Sequence, residues 1–297
     1  MKLTGIHLLL TYKCNFECEH CFVWGGPRQA GVMNLEQITE ILNQAREVDS
    51  LDWIYFEGGE PFLYYPILLR GVQQATARGF HTGIVSNAYW ATSEADALVW
   101  LRPFADLIED LTISSDQYHN SIVNSRFRQN AQKAADELHI PLGIISVAQP
   151  DQAHENPGTG QSSRDTSAIM YRGRAAVKLA SRASGKAWES LTTCPYEDLR
   201  EPGRVHLDPF GSVQICQGIS LGNVFEHSLL EICERYYAGT HPICGPLLKG
   251  GPTRLALEYG LPHQESYADA CHLCYECRLA LRDQFPDILM PDQMYGS

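Results

Sequence analysis

Basic residues and long apolar runs are both scarce in this sequence. Its 297 residues include 23 Lys and Arg against 35 Asp and Glu, a formal net charge of −12 at pH 7. Nucleic acid and anionic membranes are bound through clustered basic side chains, so we expect neither as a partner. The apolar run near the N-terminus, Ile6 to Leu10, is too short for a signal peptide or a membrane span. These absences favour a cytoplasmic protein.

Cysteine, by contrast, is abundant, with 10 residues. In a reducing cytosol, clustered cysteines are expected to be metal ligands before they are disulfides. Cys14, Cys18 and Cys21 lie close together directly after the apolar run, and such thiolates can converge on zinc, copper(I) or an iron–sulfur cluster. Three ligands on a four-iron cluster leave one iron open to an outside ligand, whereas a closed cluster takes four cysteines. Zinc would need a fourth ligand, for which His20 is the local candidate.

The Cys-x3-Cys-x2-Cys spacing after an apolar strand resembles the signature of the radical S-adenosylmethionine (SAM) superfamily. The resemblance implies a 4Fe–4S cluster on Cys14, Cys18 and Cys21 whose open iron chelates the methionine part of SAM. It implies reductive cleavage of SAM to a 5′-deoxyadenosyl radical, which abstracts a hydrogen atom from the substrate. An electron donor such as flavodoxin or ferredoxin is then a partner. The family usually has Phe, Tyr or Trp before the third cysteine; His20 stands there and offers its ring to the adenine.

A second motif follows the next predicted strand, Asp52 to Phe56. Two glycines at a strand end let the backbone approach a ligand closely. The stretch resembles the second radical SAM motif, and the resemblance implies that the SAM amino group is bound by Gly58, Gly59, Glu60 and Pro61. A tight turn between strand and helix is the alternative interpretation.

Later strand ends supply further candidates for SAM binding: Ser86, Asn87, Ser115 and Asp116. A carboxylate at the end of a nucleotide-site strand suits a pair of ribose hydroxyls. The alternative for Asp116 is capping of the following helix.

Two arginines and one histidine complete the candidate site. Arg172 and Arg174 are candidates for the SAM carboxylate, since a guanidinium binds a carboxylate in a forked geometry; ordinary surface turns are the alternative. His119 is the catalytic candidate, placed to face the substrate, with a surface or capping histidine as the alternative.

Strands and helices alternate along the first half of the chain. Helices are predicted over 35–48, 63–77, 92–101 and 124–138, the first of them begun by a capping box of Asn34 and Gln37. Such repeated units indicate an α/β fold with a parallel sheet. The resemblance implies a partial (β/α)6 TIM-like barrel over residues 1–185, whose sixth strand the pattern does not locate. Residues 149–166 are predicted to form a long loop, either a lid or disordered.

A second group of cysteines lies beyond residue 186. A hairpin is predicted from Arg204 to Cys216 and a helix from His227 to Tyr237, and their arrangement resembles the C-terminal extension called SPASM or, in its one-cluster form, Twitch. The resemblance implies a small domain over 186–297 with an auxiliary 4Fe–4S cluster, held by four of five cysteines: Cys194, Cys216, Cys271, Cys274 and Cys277. The first four are preferred, with Cys277 as the substitute and zinc as the alternative metal. Cys233 is predicted to be a core residue, and Gly245–Gly251 a turn-rich loop.

The function implied is hydrogen abstraction by a SAM-derived radical, with the auxiliary cluster oxidising the substrate radical. A small-molecule oxidoreductase is preferred slightly to a peptide maturase that crosslinks or epimerises its substrate. A non-enzymatic iron–sulfur carrier or sensor is the third hypothesis, and it predicts no SAM binding.

Overall fold

The computed structural model describes residues 1–116, 118, 121–150 and 167–296. His119 and most of the predicted loop 149–166 lie outside them. The described strands are β1 (Gly5–Thr11), β2 (Trp53–Gly58), β3 (His81–Ser86), β4 (Asp110–Ser114), β5 (Leu142–Ile145), β6 (Lys186–Ala187), β7 (Arg204–Leu207), β8 (Ser212–Cys216), β9 (Ile219–Asn223) and β10 (Ser266–Tyr267). The helices are α1 (Leu35–Arg46), α2 (Tyr65–Ala77), α3 (Glu94–Leu101), α4 (Ser121–Glu137), α5 (Arg174–Lys178), α6 (Leu229–Arg235), α7 (Cys244–Glu258) and α8 (Ala270–Leu281).

One eight-stranded sheet organises the chain, in the order β5-β4-β3-β2-β1-β7-β8-β9. Strands β1 to β5 pair in parallel, and β7 pairs in parallel with the other edge of β1. The sixth parallel strand, which the sequence pattern did not locate, is therefore β7. Strands β8 and β9 extend the sheet antiparallel. Among the described strands, the first and the last in the order do not pair with each other, so the barrel is open there. The predicted α/β partial barrel is confirmed.

Strand β1 lies between two apolar cores because its side chains alternate between the faces of the sheet. Ile6, Leu8 and Leu10 pack in the core that includes α1 and α2. Leu9 belongs to a second core built mainly by residues after 190. The N-terminal strand is thus packed against both halves of the chain.

Helix α1 begins as predicted. The Asn34 side chain accepts a hydrogen bond from the backbone N–H of Gln37, and the Gln37 side chain accepts one from the N–H of Asn34. This capping box satisfies two of the N–H groups left unpaired at a helix start. The buried face of the helix consists of Ile38, Ile41, Leu42 and Ala45.

The prediction of a turn-rich loop at Gly245–Gly251 was wrong. This stretch lies within helix α7, which is kinked where Gly250 and Gly251 leave helical geometry. Gly251 has φ 60° and lies so close to the chain before Cys194 that an added Cβ would be 2.3 Å from the Thr193 nitrogen. The glycines and prolines suggested turns, but the buried side chains of Pro246 and Leu247 hold the segment in the core.

Two further points concern the organisation of the chain. No helix in the described ranges combines the length and the apolar character that a membrane crossing requires. The β1–β7 pairing carries the sheet across residue 185, and the division into domains 1–185 and 186–297 stays a prediction.

Candidate functional site

The three cysteines after β1 line one cavity, together with Gly58, Gly59 and residues at the ends of β3 and β4. N–H groups point at two of the sulfurs. Cys14 Sγ accepts from the Phe16 N–H at 3.4 Å and from Asn87 Nδ2 at 3.6 Å, and Cys21 Sγ accepts from the Gly25 N–H at 3.2 Å. Two of the sulfurs therefore lie in a cavity and accept hydrogen bonds from nearby N–H groups. Hydrogen bonds of this kind orient and stabilise metal-bound thiolates.

Burial raises the pKa of Cys14 to about 12 and raises the pKa values of Cys18 and Cys21 as well. Buried thiolates are costly unless a positive group compensates them. Metal binding at this loop must therefore release protons, and the metal supplies the compensating charge.

The spacing of the sulfurs discriminates between a single ion and a cluster. Tetrahedral zinc with Zn–S bonds of ~2.3 Å places its sulfurs about 3.8 Å apart. Among the described residues, the single set of three or more His, Cys, Asp or Glu ligand atoms within 4.8 Å of one another contains no cysteine. The three sulfurs are thus not all within 4.8 Å of one another, a wider spread than tetrahedral zinc has and one that an iron–sulfur cluster can accommodate.

The Gly58–Gly59 turn lies directly against the backbone that leads into the cysteine loop. The Gly59 N–H donates to the Thr11 carbonyl at 2.6 Å, and the Glu60 N–H donates to the Lys13 carbonyl at 2.9 Å. Gly58 has φ +131°, and a Cβ on Gly59 would meet the Lys13 oxygen at 2.2 Å. The two glycines are required for this close approach, which joins the second motif to the cysteine loop.

The carboxylate of Glu60 is turned into the protein. It is fully buried and accepts from the Phe62 N–H at 3.1 Å, from Ser86 Oγ at 2.9 Å and from the Asn87 N–H at 2.8 Å. Asn87 in turn donates to Asn15 Oδ1 at 2.8 Å. Hydrogen bonds to the Glu60 carboxylate therefore join the end of β2 to the end of β3. The binding of SAM by Gly58, Gly59, Glu60, Pro61, Ser86 and Asn87 stays a prediction.

His20 lies beside Asp116 and Tyr118, at the end of β4. Its Nε2 is 3.6 Å from Asp116 Oδ2, and its ring centroid is 4.6 Å from that of Tyr118. Asp116 also accepts a hydrogen bond from the Tyr118 N–H at 3.0 Å, as in a turn-capping role. Ser115 continues the ladder of β4 through its N–H to Ile145. The structure thus brings His20 and Asp116 together beside the cysteines.

Arg174 holds the cysteine loop. Its Nη1 donates to the Cys18 carbonyl and its Nη2 to the Gly25 carbonyl, both at 2.8 Å. The side chain is 4% exposed. The guanidinium thus donates hydrogen bonds to backbone carbonyls on two sides of the loop. We assign Arg174 the role of positioning the cysteine loop.

Replacement of Arg174 by alanine is expected to make the loop lose its iron. The change removes two charge-assisted hydrogen bonds, each worth about 1.5–3 kcal/mol, and leaves the buried Gly25 carbonyl without its Arg174 donor. Iron per chain after anaerobic reconstitution and dialysis is the measurement. Arg182→Ala is the matched control, because that side chain is 47% exposed and meets Glu19 at 3.9 Å. Equal iron in the two variants would contradict the assignment.

A second cavity is lined by Cys194, Cys216, Cys271 and Cys274, the four cysteines preferred on sequence. They come from a loop, the end of β8 and two positions of α8. Burial raises the pKa of Cys194 to about 12. Cys277 is not among the residues lining the cavity; it packs in the second core. Cys233 lies in the first core, as predicted.

Two buried arginines border this cavity. Arg172 donates from Nη1 to Glu197 Oε1 at 2.9 Å and to Cys216 Sγ at 3.5 Å. Arg278 follows Cys274 by four residues on α8, lies on the same helix face and is 2% exposed. Guanidinium groups here balance the charge of thiolates that lose water contact. Sequence reasoning missed Arg278 and Glu197; the Cys-x2-Cys-x3-Arg spacing on one helix face was the available signal.

A third cavity fills the inside of the open barrel and is called the barrel lumen below. Its lining includes His7, Tyr55, Glu57, Asp110, Thr112 and His206. It shares His20, Phe22 and Glu57 with the three-cysteine cavity and Arg172 with the four-cysteine cavity. The lumen therefore adjoins both cysteine sites.

Glu57 lies between two histidines in this lumen, a grouping that the sequence analysis did not predict. His7 Nδ1 is 3.1 Å from Glu57 Oε2, and His206 Nε2 is 3.2 Å from Glu57 Oε1. Burial alone would raise the pKa of Glu57, but His7 and His206 hold it well below its usual range. Burial lowers the pKa of His206. The carboxylate is therefore ionised at neutral pH.

Comparisons with known proteins match part of the chain to a family. Residues 8–136 match the radical SAM superfamily. The chain is 28% identical over 126 residues to the "Putative peptide biosynthesis protein YydG" of Bacillus subtilis (strain 168), covering 42% of this chain and 40% of that protein. It is 33% identical over 111 residues to the "Tungsten-containing aldehyde ferredoxin oxidoreductase cofactor-modifying protein" of Pyrococcus furiosus, covering 37% of this chain and 30% of that protein.

A solved structure shares the fold over nearly the whole length. The histidine-tagged form of anSMEcpe with bound AdoMet superimposes with a TM-score of 0.53 at 13% identity, covering 99% of this chain and 98% of that one. The sequence matches place residues 8–136 near the radical SAM superfamily, and the solved structure shows a shared fold. The alignments to the two curated relatives span less than half of the length of either. A SPASM or Twitch extension stays a prediction.

Proposed function

We propose that this protein is a radical SAM enzyme whose substrate radical is oxidised with the help of an auxiliary 4Fe–4S cluster. One observation carries the proposal. Cys194, Cys216, Cys271 and Cys274 line a single cavity, and the barrel lumen adjoins both that cavity and the one lined by Cys14, Cys18 and Cys21. A substrate in the lumen would then lie between the two cluster sites.

The residues around the first site have distinct roles in this proposal. Cys14, Cys18 and Cys21 would hold the cluster, and the Gly58–Gly59 turn would bring backbone groups to the amino-acid end of SAM. His20 and Asp116 would border the nucleoside end. When bound, the cluster and SAM together supply a 5′-deoxyadenosyl radical, which is the hydrogen-abstracting species.

The second site would hold its cluster with a complete set of four thiolates. A fully ligated cluster has no open iron and suits electron transfer. Arg172 and Arg278 would balance its charge, and Arg172 would also face the lumen. This arrangement supports a reaction in which the substrate would lose a hydrogen atom to the SAM-derived radical, then one electron to the auxiliary cluster and one proton to a base, as in the oxidation of an alcohol. Flavodoxin or ferredoxin is the proposed external electron donor.

A small-molecule substrate is preferred because the lumen is lined by polar side chains from adjacent strands. Tyr55, Asp110 and Thr112 lie there beside His7 and Glu57. Such groups suit a compact ligand with several hydroxyl or amino groups.

Peptide modification is the second candidate function. The name of the Bacillus subtilis relative, a peptide biosynthesis protein, favours it. Crosslinking and epimerisation of a peptide each begin with the same hydrogen abstraction. Incubation with SAM and reductant, in the presence of candidate substrates of each class, separates the two by mass spectrometry of the product.

Replacement of Cys18 by alanine is expected to abolish SAM cleavage. The change removes one of three ligands, and a site with two thiolates does not retain the cluster that SAM binds. The measurement is 5′-deoxyadenosine formed from SAM under anaerobic reducing conditions. Cys233→Ala is the matched control, since this thiol packs in the apolar core. Persistent 5′-deoxyadenosine from Cys18→Ala would overturn the assignment, and none from the wild type would favour the carrier or sensor hypothesis.

A further inference from the structure

We infer that His7, Glu57 and His206 form a separate site for a divalent transition-metal ion inside the barrel lumen. One ligand atom from each residue lies within 4.8 Å of the other two. Within the described part of the chain, no other His, Cys, Asp or Glu group of three meets this condition. Glu57 also borders the three-cysteine cavity, whereas neither histidine is among the residues that line a cysteine site.

Three neighbouring strands present the ligands. His7 on β1 lies opposite Tyr55 of β2 and opposite His206 of β7. Glu57 follows Tyr55 by two residues on β2, so it points to the same face of the sheet as Tyr55. Hydrogen-bonded strands hold side chains more rigidly than loops do, and rigid placement is what a metal site requires.

Each carboxylate oxygen of Glu57 lies close to one imidazole nitrogen. The separations are 3.1 Å between His7 and Glu57 and 3.2 Å between His206 and Glu57. His7 Nδ1 and Glu57 Oε1 are buried without a hydrogen-bond partner, and so is Nδ1, the other ring nitrogen of His206. Two imidazoles and a carboxylate this close could all bind one ion, because these groups are common metal ligands.

Aromatic rings fix the two imidazoles. The His7 ring stacks on Tyr55 with centroids 4.8 Å apart and an interplanar angle of 14°. Phe22 packs edge-on against His206 at 5.9 Å. Such packing restricts the rotamers of the two rings, so that little freedom is lost when the ion binds.

The donor set indicates which ion would bind. Two imidazoles and one carboxylate suit Fe²⁺, Mn²⁺, Co²⁺ or Zn²⁺ and leave coordination positions open. All three side chains line the lumen, so the open positions would face a bound substrate. The ion would then take a substrate oxygen or nitrogen as a further ligand and hold the substrate beside the SAM site.

Manganese is the probe that separates this site from the cysteine sites. Thiolates select soft metals, whereas nitrogen and oxygen ligands accept Mn²⁺. The cluster-loaded protein is titrated with Mn²⁺ under anaerobic conditions, and free Mn²⁺ is measured from its room-temperature electron paramagnetic resonance signal. We expect about one bound Mn²⁺ per chain for the wild type, displaced by Zn²⁺, which binds such ligands more tightly.

Glu57→Gln is expected to lose this binding, because the amide is a much weaker ligand than the carboxylate it replaces. The matched control is Glu109→Gln, which alters the exposed pair of His81 Nδ1 and Glu109 Oε1 at 2.6 Å and should retain the wild-type titration. His206→Gln is the second variant, so the conclusion does not depend on the folding of Glu57→Gln alone. Circular dichroism and the visible absorption of the clusters report whether each variant is intact.

The inference is overturned if the wild type leaves Mn²⁺ free, or if intact Glu57→Gln and His206→Gln bind it like the wild type. The titration uses neither SAM nor a reductant. Its outcome is therefore independent of whether SAM cleavage is observed, and the two proposals fail separately.

Discussion

Replacement of Cys194, Cys216, Cys271 and Cys274 by alanine together is expected to lower the iron content from about eight to about four atoms per chain after anaerobic reconstitution. The reason is that these four thiols line one cavity with two buried arginines and have no other ligand role. Acid-labile sulfide should fall in the same proportion. The Cys14/Cys18/Cys21→Ala variant should also retain about four irons, and the two sets of changes combined should leave almost none.

Cys277→Ala is the matched control for this experiment. Sequence alone left Cys277 as a possible fourth ligand, but its side chain packs in the second core and does not line the cavity. The variant should keep about eight irons. A wild type with about four irons that falls to near zero in the Cys14/Cys18/Cys21 variant would mean that the C-terminal cysteines hold zinc or nothing. The proposed oxidation by an auxiliary cluster would then be wrong.

Gly59→Ala is expected to remove the SAM-site cluster while the auxiliary cluster remains. The new Cβ would lie 2.2 Å from the Lys13 oxygen and 2.8 Å from the Tyr12 oxygen. Both are backbone atoms, so relief requires the chain entering Cys14 to move. Overpacking of this kind typically costs about 1–3 kcal/mol, occasionally more. We expect about half of the iron to be lost and 5′-deoxyadenosine formation to fall to near zero, because the cluster that would bind SAM is missing.

Gly5→Ala tests whether this effect is specific to the turn. Gly5 is buried on β1, and its added Cβ would make only ordinary contacts, 3.7 and 3.8 Å from Trp53. Iron content and SAM cleavage should stay close to those of the wild type. If Gly59→Ala behaves like Gly5→Ala, the close approach of the turn to Lys13 is unimportant for the cluster loop.

Local features of the site could be predicted from the sequence because their partners are near in the chain. The cysteine spacing, the capping box of Asn34 and the strand before the loop all depend on residues a few positions apart. The alternation of strands and helices was enough to predict the parallel α/β fold. The resemblance to a C-terminal extension led to a preference for Cys194, Cys216, Cys271 and Cys274, and these four line one cavity. Their role as cluster ligands stays a prediction.

What the sequence could not supply was the pairing of distant segments. The grouping of His7, Glu57 and His206 in the barrel lumen requires His206 to lie opposite His7, across the β1–β7 pairing. The sequence around His7 does not indicate that His206 lies opposite it, and the sequence around His206 does not indicate His7. The two arginines show a second limit: Arg172 contacts Cys216, whereas Arg174 contacts the carbonyl of Cys18. Residues two apart on an irregular segment diverge according to tertiary packing, which composition does not reveal.

The pairing of β1 with β7 also has a consequence for biosynthesis. When β1 leaves the ribosome, the strand that covers its second edge has still to be translated, because β7 begins at Arg204. Until then an apolar strand would expose its unpaired N–H and C=O groups, which is the situation in which chains associate wrongly. Contacts between segments so far apart also form slowly. In a nascent chain one edge of β1 would therefore stay without its native partner until Leu207 has emerged.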